Sequence, residues 1–243
     1  MLQLEQISWD LPDGGGILKD IDLAIPDGKL VVVTGPNGGG KTTLAKIIAG
    51  LETPSTGKIR MDGEDITPLD VTERARRGIA YAFQQPVRFK GITVRMLIEL
   101  AAGGKLTESG LCDVLAKVGL CAREYIDREI NASLSGGEIK RIEIASVLAR
   151  GAKVSIFDEP EAGIDLWSFS SLISVFKEMR GKLSGSLLII SHQERILDIA
   201  DEIVVIANGS VRTSGPREEV LPTLLQGEAF AGCPRQVEVM QHE

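Results

Sequence analysis

The segment 35–42, which reads GPNGGGKT, constrains the fold of this chain more than any other stretch of its sequence. It follows an apolar run at residues 30–34, which predicts a buried strand, and leads into residues 41–50, which predict a helix closed by glycine. Glycines between a strand and a helix let backbone N–H groups approach phosphate oxygens, and the helix N-terminus is electropositive. The segment therefore predicts a phosphate-binding loop.

Each position of this loop has an expected part in binding a nucleoside triphosphate. The Lys41 ammonium would neutralise the β- and γ-phosphates, and the Thr42 hydroxyl would ligate Mg²⁺. A glycine-rich turn without function is the alternative, and the flanking strand and helix weigh against it. The residues expected to contact the nucleotide here are Gly35, Pro36, Asn37, Gly38, Gly39, Gly40, Lys41, Thr42 and Thr43.

A second apolar run, residues 154–159, ends in two acidic residues and reads VSIFDE. In a phosphate-loop enzyme an aspartate at such a strand end lies near the metal ion that the loop hydroxyl holds, so Asp158 is the expected second ligand of Mg²⁺. The next carboxylate, Glu159, can reach a water molecule in line with the γ-phosphate and act as its general base. An ordinary strand end with a solvated turn is the alternative.

The order of apolar runs predicts an α/β fold whose core is a parallel sheet covered by helices on both faces. Buried strands are predicted at residues 154–157, 187–190 and 203–206, with helical segments between them. Two earlier strands, at residues 3–9 and 21–25, predict a small antiparallel sheet at the amino terminus.

Residues 93–120 differ from the rest because their apolar residues recur at helical spacing, with a glycine break at residues 103–104. We interpret this stretch as part of a helical subdomain, at about residues 86–134, inserted into the α/β core. The nucleotide-binding domain would then extend over residues 1–225, followed by a tail at residues 226–243 with no clear period.

The composition of the chain limits which molecules it is expected to bind and where in the cell it is expected to lie. A net charge of −7 and an isoelectric point near 5.1 disfavour DNA or RNA. No apolar run approaches the roughly 20 residues that cross a bilayer, and the amino terminus has no signal-like pattern, so we expect a cytoplasmic protein. The cysteines show no metal-binding spacing: Cys112 and Cys121 are expected to be buried free thiols, and the role of Cys233 in the tail is undefined.

A third motif precedes the acidic strand, at residues 134–138, which read LSGGE and open a helix rich in isoleucine and alanine. Together with the phosphate loop and the acidic strand end, it resembles the ATP-binding cassette (ABC) ATPase family. The resemblance covers residues 2 to about 225 and includes a glutamine loop at Gln84, the AGID segment at residues 162–165 and a histidine at His192. The fold it implies is a RecA-like P-loop NTPase, and the activity is Mg²⁺-dependent ATP hydrolysis.

The resemblance also implies parts for residues outside the phosphate loop. Gln84 would contact Mg²⁺ and the attacking water and link to a partner protein, and His192 would steady the γ-phosphate. Asp165 would cross an interface between two copies of the chain. The working form would be a homodimer that binds ATP at its interface.

The residues of the LSGGE motif have a physical reading that agrees with this dimer. Ser135, Gly136 and Gly137 lie at a predicted helix start, where a hydroxyl and backbone N–H groups are available to an anion. One chain already has a phosphate loop, so a second anion site indicates the ATP of a second chain. A plain helix cap at Ser135 is a compatible alternative.

Two positions depart from the family pattern. Gly39 stands where many relatives have serine, a change expected to matter little because backbone groups hold the phosphates. The aromatic residue that often stacks on adenine is replaced by Leu11, with Trp9 two residues earlier, so apolar contact alone is expected to hold the base.

Several local strings resemble one branch of the family, the SufC-type ATPases of iron–sulfur cluster assembly. They are residues 76–94 (RRGIAYAFQQPVRFKGITV), 128–144 (REINASLSGGEIKRIEI) and 191–197 (SHQERIL). The implied partner is a SufB/SufD-like scaffold protein, and Phe89, a large apolar residue in a polar loop, is the candidate contact with it.

Three alternatives to the SufC-type interpretation stay open at this point. The chain could be the ATP-binding subunit of a membrane transporter, with permease subunits as partners and a membrane-peripheral location, because fold and motifs do not determine the partner. The strings could be variable surface positions of any cassette. A DNA-repair or translation cassette is disfavoured by the acidic composition and by the absence of a second cassette.

Overall fold

A computed structural model describes residues 1–226 of the chain, apart from Pro12, Pro86, Ala132, Leu183 and Ser184. Within that described part, none of the helices has the length and apolar character needed to cross a membrane. The predicted tail from residue 227 onward, including Cys233 and His242, lies outside the described residues.

The secondary structure alternates between strands and helices through most of the chain. In order, the strands are β1 (Leu2–Asp10), β2 (Gly16–Ile25), β3 (Leu30–Thr34), β4 (Thr56–Met61), β5 (Glu64–Asp65), β6 (Ile79–Ala82), β7 (Val154–Asp158), β8 (Ser186–Ile190), β9 (Glu202–Ala207) and β10 (Ser210–Pro216). The helices are α1 (Lys41–Ala49), α2 (Val71–Arg77), α3 (Val94–Ala102), α4 (Glu108–Lys117), α5 (Ala122–Tyr125), α6 (Gly136–Arg150), α7 (Leu166–Lys182), α8 (Glu194–Leu197) and α9 (Arg217–Leu225).

The larger sheet has the strand order β10-β9-β3-β8-β7-β6, and its strands from β9 to β6 are parallel. Both faces of this sheet are covered: along β3, Leu30 and Val32 belong to one hydrophobic cluster, and Val31 and Val33 belong to the other. The predicted P-loop α/β fold with a buried parallel core is confirmed.

One strand of the larger sheet was not predicted. Strand β10 pairs antiparallel with β9 after a two-residue connection at Asn208 and Gly209, which both have positive φ, 54° and 80°. An Asn-Gly pair favours this type of hairpin turn because both residues tolerate left-handed backbone conformations. The β10 side chains are only partly buried, so the strand lacks the apolar run that marked its neighbours.

The smaller sheet has the order β2-β1-β4-β5 and is antiparallel, as the early strands led us to expect. Its inner face packs with α1 and the nearer face of the larger sheet in a single hydrophobic cluster that includes Ile7, Ile21, Leu44 and Ile47. Helix α1, and with it the phosphate loop, is therefore held between the two sheets.

Helices α3 and α4 occupy the stretch where helical spacing was recognised, and α5 follows it within residues 86–134. Helix α3 ends at Gly103, which has a left-handed conformation. The burial expected for the cysteines is wrong: Cys112 and Cys121 are exposed free thiols. On α4 the residues that face the core are Leu111 and Leu115, one helical turn apart, which leaves position 112 on the solvent side.

Candidate active site

The loops that follow four adjacent parallel strands bring the predicted site residues to one edge of the larger sheet. Strands β3, β8, β7 and β6 lie side by side and point the same way. The phosphate loop follows β3, His192 follows β8, Glu159 follows β7, and Gln84 lies shortly after β6. The carboxyl edge of a parallel sheet is the usual position of a ligand site in an open α/β fold.

Two glycines of the phosphate loop are required by the close approach of β9. At Gly35, where φ is 133°, a Cβ atom would lie 2.0 Å from the Ile206 carbonyl oxygen. At Gly39 a Cβ would lie 2.9 Å from the same oxygen and 3.0 Å from the Pro36 carbonyl oxygen. Glycine at position 39 therefore fits a tightly packed site. The sequence analysis, which expected the change from serine to glycine to matter little, had not indicated this packing. A Cβ at Gly38, by contrast, would meet nothing within 4 Å.

The Lys41 ammonium lies inside the loop. Its Nζ donates to the carbonyl oxygens of Gly35 at 2.8 Å and Pro36 at 2.9 Å, and the residue is buried. Burial lowers the pKa of Lys41, and the charges of Glu159 and Asp158 oppose this effect. A cation held by backbone carbonyl oxygens inside the loop is suited to neutralise a phosphate that enters the same loop.

The side chains of Thr42 and Asp158 are in contact, as two ligands of one metal ion must be close together. The Thr42 hydroxyl donates to Asp158 Oδ1 at 3.1 Å. Hydroxyl and carboxylate oxygens are ligands that Mg²⁺ accepts, and this ion usually keeps several water or phosphate oxygens as well. Elsewhere in the described residues, no group of three or more His, Cys, Asp or Glu side chains could hold a metal ion. The donor set at Thr42 and Asp158 therefore fits Mg²⁺ bound together with a nucleotide.

Tyr81 is a site residue that sequence reasoning did not single out. Its hydroxyl donates to Asp158 Oδ2 at 2.9 Å, so both oxygens of this carboxylate have partners. Burial raises the pKa of Tyr81 well above its usual range, which keeps the hydroxyl protonated as a donor. Burial also raises the pKa of Asp158, while the bonds from Tyr81 and Thr42 oppose this.

The contact between Tyr81 and Asp158 arises from sheet register. Tyr81 lies opposite Ile156 in the parallel pair β6–β7, and Asp158 follows Ile156 by two residues. Residues two apart in a strand point to the same face. Recognising this from the sequence would have required the knowledge that β6 and β7 are neighbours.

Glu159 and Gln84 are in direct contact, although 75 residues separate them in the sequence. Gln84 Nε2 donates to Glu159 Oε2 at 2.6 Å. Glu159 itself has a positive φ of 45°, a conformation that costs a non-glycine residue some free energy and is often found at functional sites. The structure therefore brings together the two residues predicted to act on the attacking water.

His192 lies at the end of β8 with an exposed side chain. It lines the same cavity as Thr34, Gly35 and Pro36, which places it beside the start of the phosphate loop. The preceding residue, Ser191, is fully buried, and its hydroxyl donates to Glu161 Oε1 at 2.5 Å. The segment after β7 and the histidine segment after β8 are thus joined by a buried hydrogen bond.

The LSGGE motif forms the start of α6, where both interpretations of the sequence are compatible with the geometry. Ser135 is the N-cap: its hydroxyl accepts from Glu138 N at 3.2 Å, while Glu138 Oε2 accepts from Ser135 N at 2.7 Å. Ser135 and Gly136 are nonetheless exposed, and Gly137 is partly exposed. The helix start is therefore capped from within the chain and is still accessible to an anion from outside it.

Two further predicted contacts have defined positions. Asp165 accepts from Ser168 N at 3.0 Å and from Ser168 Oγ at 2.6 Å, so within one chain it caps the first turn of α7. Leu11 is 38% exposed, whereas Trp9 packs against the core of the smaller sheet. Leu11 is accordingly the residue of this pair that is free to contact a base.

Glu161 supplies a pH-dependent prediction. Burial raises the pKa of its carboxyl, the bond from Ser191 and the charge of His192 oppose this, and the charge of Glu159 adds to it. A carboxyl whose folded-state pKa is raised contributes stability below its unfolded pKa and loses it as the pH rises through the folded value. Glu161→Gln keeps the acceptor for Ser191 and cannot ionise, so we expect it to raise Tm more at about pH 8 than at about pH 5.5.

Thermal unfolding followed by circular dichroism would measure this difference. The exposed Glu124 offers a matched control, since Glu124→Gln should change Tm equally little at both pH values. A Tm difference for Glu161→Gln that is independent of pH would contradict the prediction.

Sequence comparisons place the whole site in the context of known proteins. A family model described as ABC transporter matches residues 18–162. An uncharacterized ABC transporter ATP-binding protein of Methanocaldococcus jannaschii is 39% identical over 212 residues, which cover 84% of each chain. The sulfate/thiosulfate import ATP-binding protein CysA of a Synechocystis species is 34% identical over 208 residues, covering 84% of this chain and 57% of that relative.

A comparison of structures agrees with the fold described above. A dimeric ATP-binding cassette solved in a post-hydrolysis state with ADP and phosphate superposes with a TM-score of 0.80. The match covers 89% of this chain and 99% of that chain at 23% identity, so the similarity concerns the fold.

Proposed function

Because this chain belongs to the ABC transporter family and is an ATPase, we propose that it uses ATP hydrolysis at the site described above to move a separate partner protein. The observation that carries the proposal is the contact between Gln84 and Glu159, since Gln84 lies in an exposed loop and Glu159 lies beside the phosphate loop. Gln84 is therefore placed to transmit a change at the ATP site to a loop that a partner protein can contact.

The residues divide the chemistry between them. Lys41 and the backbone N–H groups of the phosphate loop would hold the phosphates, and Thr42 and Asp158 would hold Mg²⁺ with Gln84 nearby. The bound ion would neutralise charge on the β- and γ-phosphate oxygens. Glu159 accepts a proton from the attacking water, Gln84 orients that water, and His192 donates to the γ-phosphate.

A second copy of the chain completes the site. Ser135 and Gly136 are exposed at the N-terminus of the 15-residue helix α6, where the helix field favours an anion. The chain's own phosphate loop already accounts for its own ATP, so this second anion position suits the γ-phosphate of the other copy's ATP. Gly137 and Asp165 would lie at the same interface. ATP would then hold two protomers together, and hydrolysis would release them.

The partner that the relatives favour is a membrane permease. The two relatives compared above are named as ABC transporter or import ATP-binding proteins. These names support the transporter alternative better than the first choice made from the sequence, because neither name refers to iron–sulfur assembly. With a permease as partner, the chain would lie at the membrane surface.

An apolar groove offers the surface for such a partner. It has a volume of about 310 Å³, and its lining includes Leu97 and Leu100 of α3, Val71 of α2 and Phe83. A second groove of about 140 Å³ shares Phe83 and Leu97 and extends to Phe89. Leu100, Val71 and Phe83 are 74%, 43% and 37% exposed, so the groove is lined by several exposed apolar side chains, and contiguous apolar patches of this kind mark interaction sites.

A SufB/SufD-like scaffold is the second candidate partner, and one observation favours it. Some residues of the strings that suggested the SufC-type branch are not at the surface: Lys140 is 0% exposed and Glu143 is 15% exposed. Glu138 accepts hydrogen bonds from Ser135 N and from the Tyr125 hydroxyl. These three side chains have structural roles within the chain, so the alternative that the strings are surface positions of any cassette does not apply to them.

Phe89→Asp tests the groove as the partner surface. Phe89 is 37% exposed, and its backbone N donates to Ile130 O at 3.0 Å, so the loop should keep its conformation when the side chain changes. Burying the new carboxylate against an apolar partner costs several kcal/mol, about a hundredfold or more in affinity. Partner co-purification should be lost, while ATP hydrolysis by the isolated chain should stay within about twofold of the original rate.

The matched control is Met96→Asp. Met96 is 51% exposed on α3 but does not line either groove, and an acidic residue in the first helical turn is well tolerated. We expect this variant to retain the partner. Equal retention by Phe89→Asp would remove the groove from the proposal.

The nature of the partner is tested by affinity purification from the native cell in detergent, with co-purifying chains identified by mass spectrometry. A chain with several membrane spans would support the transporter function. A scaffold accompanied by iron–sulfur assembly proteins would support the second candidate and reject the first.

A further inference from the structure

Lys140 is a fully buried lysine on α6 that the chemistry above does not use. Its Nζ donates to the carbonyl oxygen of Phe83 and, at 3.4 Å, to that of Gln84, and it lies 3.4 Å from Glu143 Oε2. The ammonium group thus donates to two carbonyl oxygens and forms an ion pair with the Glu143 carboxylate. A buried charge is tolerated when its partners are arranged in this way, and the arrangement holds all of them in place.

Glu143 holds the other side of the same peptide segment. Its Oε1 accepts from Phe83 N at 2.7 Å, so two side chains one turn apart on α6 bind both backbone groups of Phe83. Phe83 lies immediately beyond the edge strand β6, whose ladder with β7 ends at Ala82. Lys140 and Glu143 therefore supply the hydrogen-bond partners that the sheet no longer provides there.

Lys140 and Glu143 lie between two distant parts of the site, the start of α6 and the side chain of Gln84. At one end of α6, Ser135 and Gly136 are exposed. At a rise of about 1.5 Å per residue, Lys140 lies about 8 Å and Glu143 about 12 Å further along the helix than Ser135. These two side chains hold the backbone from which the Gln84 side chain reaches Glu159 at 2.6 Å. Several hydrogen bonds connect the helix to this backbone, so a displacement of the helix would be transmitted to Gln84.

We propose that Lys140 and Glu143 are positioning residues that keep Gln84 at a fixed position relative to α6. Through them, the engagement of a second copy's ATP at the start of α6 sets the contact between Gln84 and Glu159 in the same chain. This inference rests on the proposed function, namely ATP hydrolysis in a dimer. It identifies the side chains that would make the Gln84–Glu159 contact sensitive to a ligand at the start of α6.

Lys140→Met tests the proposal while filling the buried volume with an apolar side chain. With Gln84 displaced, kcat for ATP hydrolysis should fall by about 10- to 100-fold, since a misplacement of about 1 Å can have an effect of this size. The KM for ATP should change by less than about threefold, because the phosphate loop is untouched. Lys153→Met is the control: Lys153 is 65% exposed and lies at the far end of β7, and both constants should be retained.

A double-mutant cycle separates positioning from general destabilisation. In a Gln84→Ala background, Lys140→Met should lower kcat no further, because both changes remove the same contact with Glu159. Two independent, multiplying losses would overturn the proposal, as would a Lys140→Met variant with unchanged kcat.

Glu143 provides a second pair of variants that does not depend on the folding of Lys140→Met. Glu143→Gln keeps an acceptor for Phe83 N and should retain kcat within about threefold, whereas Glu143→Ala should lose about as much as Lys140→Met. Equal kcat values for these two variants would overturn the proposal. If the unaltered chain failed to hydrolyse ATP in the same assay, the proposed function would fail first, and the two failures are thereby distinguished.

Discussion

Glu159→Gln is expected to lower kcat for ATP hydrolysis by about 10²- to 10⁴-fold, the usual contribution of a positioned general base. The amide can still accept from Gln84 but cannot take a proton from the attacking water. ATP binding should persist because Lys41, Thr42 and Asp158 are unchanged. ATP that binds and is not hydrolysed should hold two protomers together, so the variant should accumulate as an ATP-bound dimer.

Light scattering with ATP and Mg²⁺ would measure the mass of this species, and a phosphate-release assay would measure turnover. The exposed Glu124 again provides a control, since Glu124→Gln should hydrolyse ATP at the original rate and show no stabilised dimer. A Glu159→Gln chain that remains a monomer with saturating ATP would count against the dimer.

Lys41→Met should produce the second large effect, this time on binding. The ammonium now donates to the carbonyl oxygens of Gly35 and Pro36, and phosphate oxygens entering the loop would replace or join these acceptors. Hydrogen bonds to charged groups contribute about 1.5–3 kcal/mol each, which corresponds to a factor of about 10–100 in affinity. We therefore expect ATP affinity to fall by at least about tenfold, with a further loss in kcat.

The fold should tolerate this change, because a buried cation is replaced by an apolar side chain of similar length. Titration with a fluorescent ATP analogue would give Kd, and thermal unfolding would confirm that the variant is folded. Lys46→Met is the matched control on the same helix α1, where Lys46 lies in the last turn away from the loop. Unchanged ATP affinity in Lys41→Met would remove the assigned role of Lys41.

The phosphate loop, the acidic strand end and the start of α6 could be predicted because each is contiguous in the sequence. A glycine-rich turn between an apolar strand and a helix has few possible geometries, and an aspartate at the end of a buried strand has a defined position relative to it. The parallel order of the core likewise followed from buried apolar runs separated by helices. These features depend on local backbone conformation, which neighbouring residues largely determine.

The sequence could not predict the distant contacts made by residues outside the motifs. Tyr81 reaches Asp158 because β6 lies beside β7, and Lys140 reaches Phe83 because α6 lies against the end of β6. In both cases the amino acids belong to common types, so nothing local distinguishes them from residues of a strand or a helix surface. Their partners depend on strand order and on the rotation of a helix about its axis.

The exposure of Cys112 and the tight packing at Gly39 belong to the same class of feature. Whether a small side chain is buried depends on which face of its element meets the core, and β9 approaches Gly39 from more than 160 residues later in the chain, at Ile206. The sequence by itself predicted the residues of the ATP site and determined the architecture that supports them. The tertiary structure decided how those residues are held and linked, because burial and hydrogen bonding between distant segments are settled only when the whole sheet and its helices have packed.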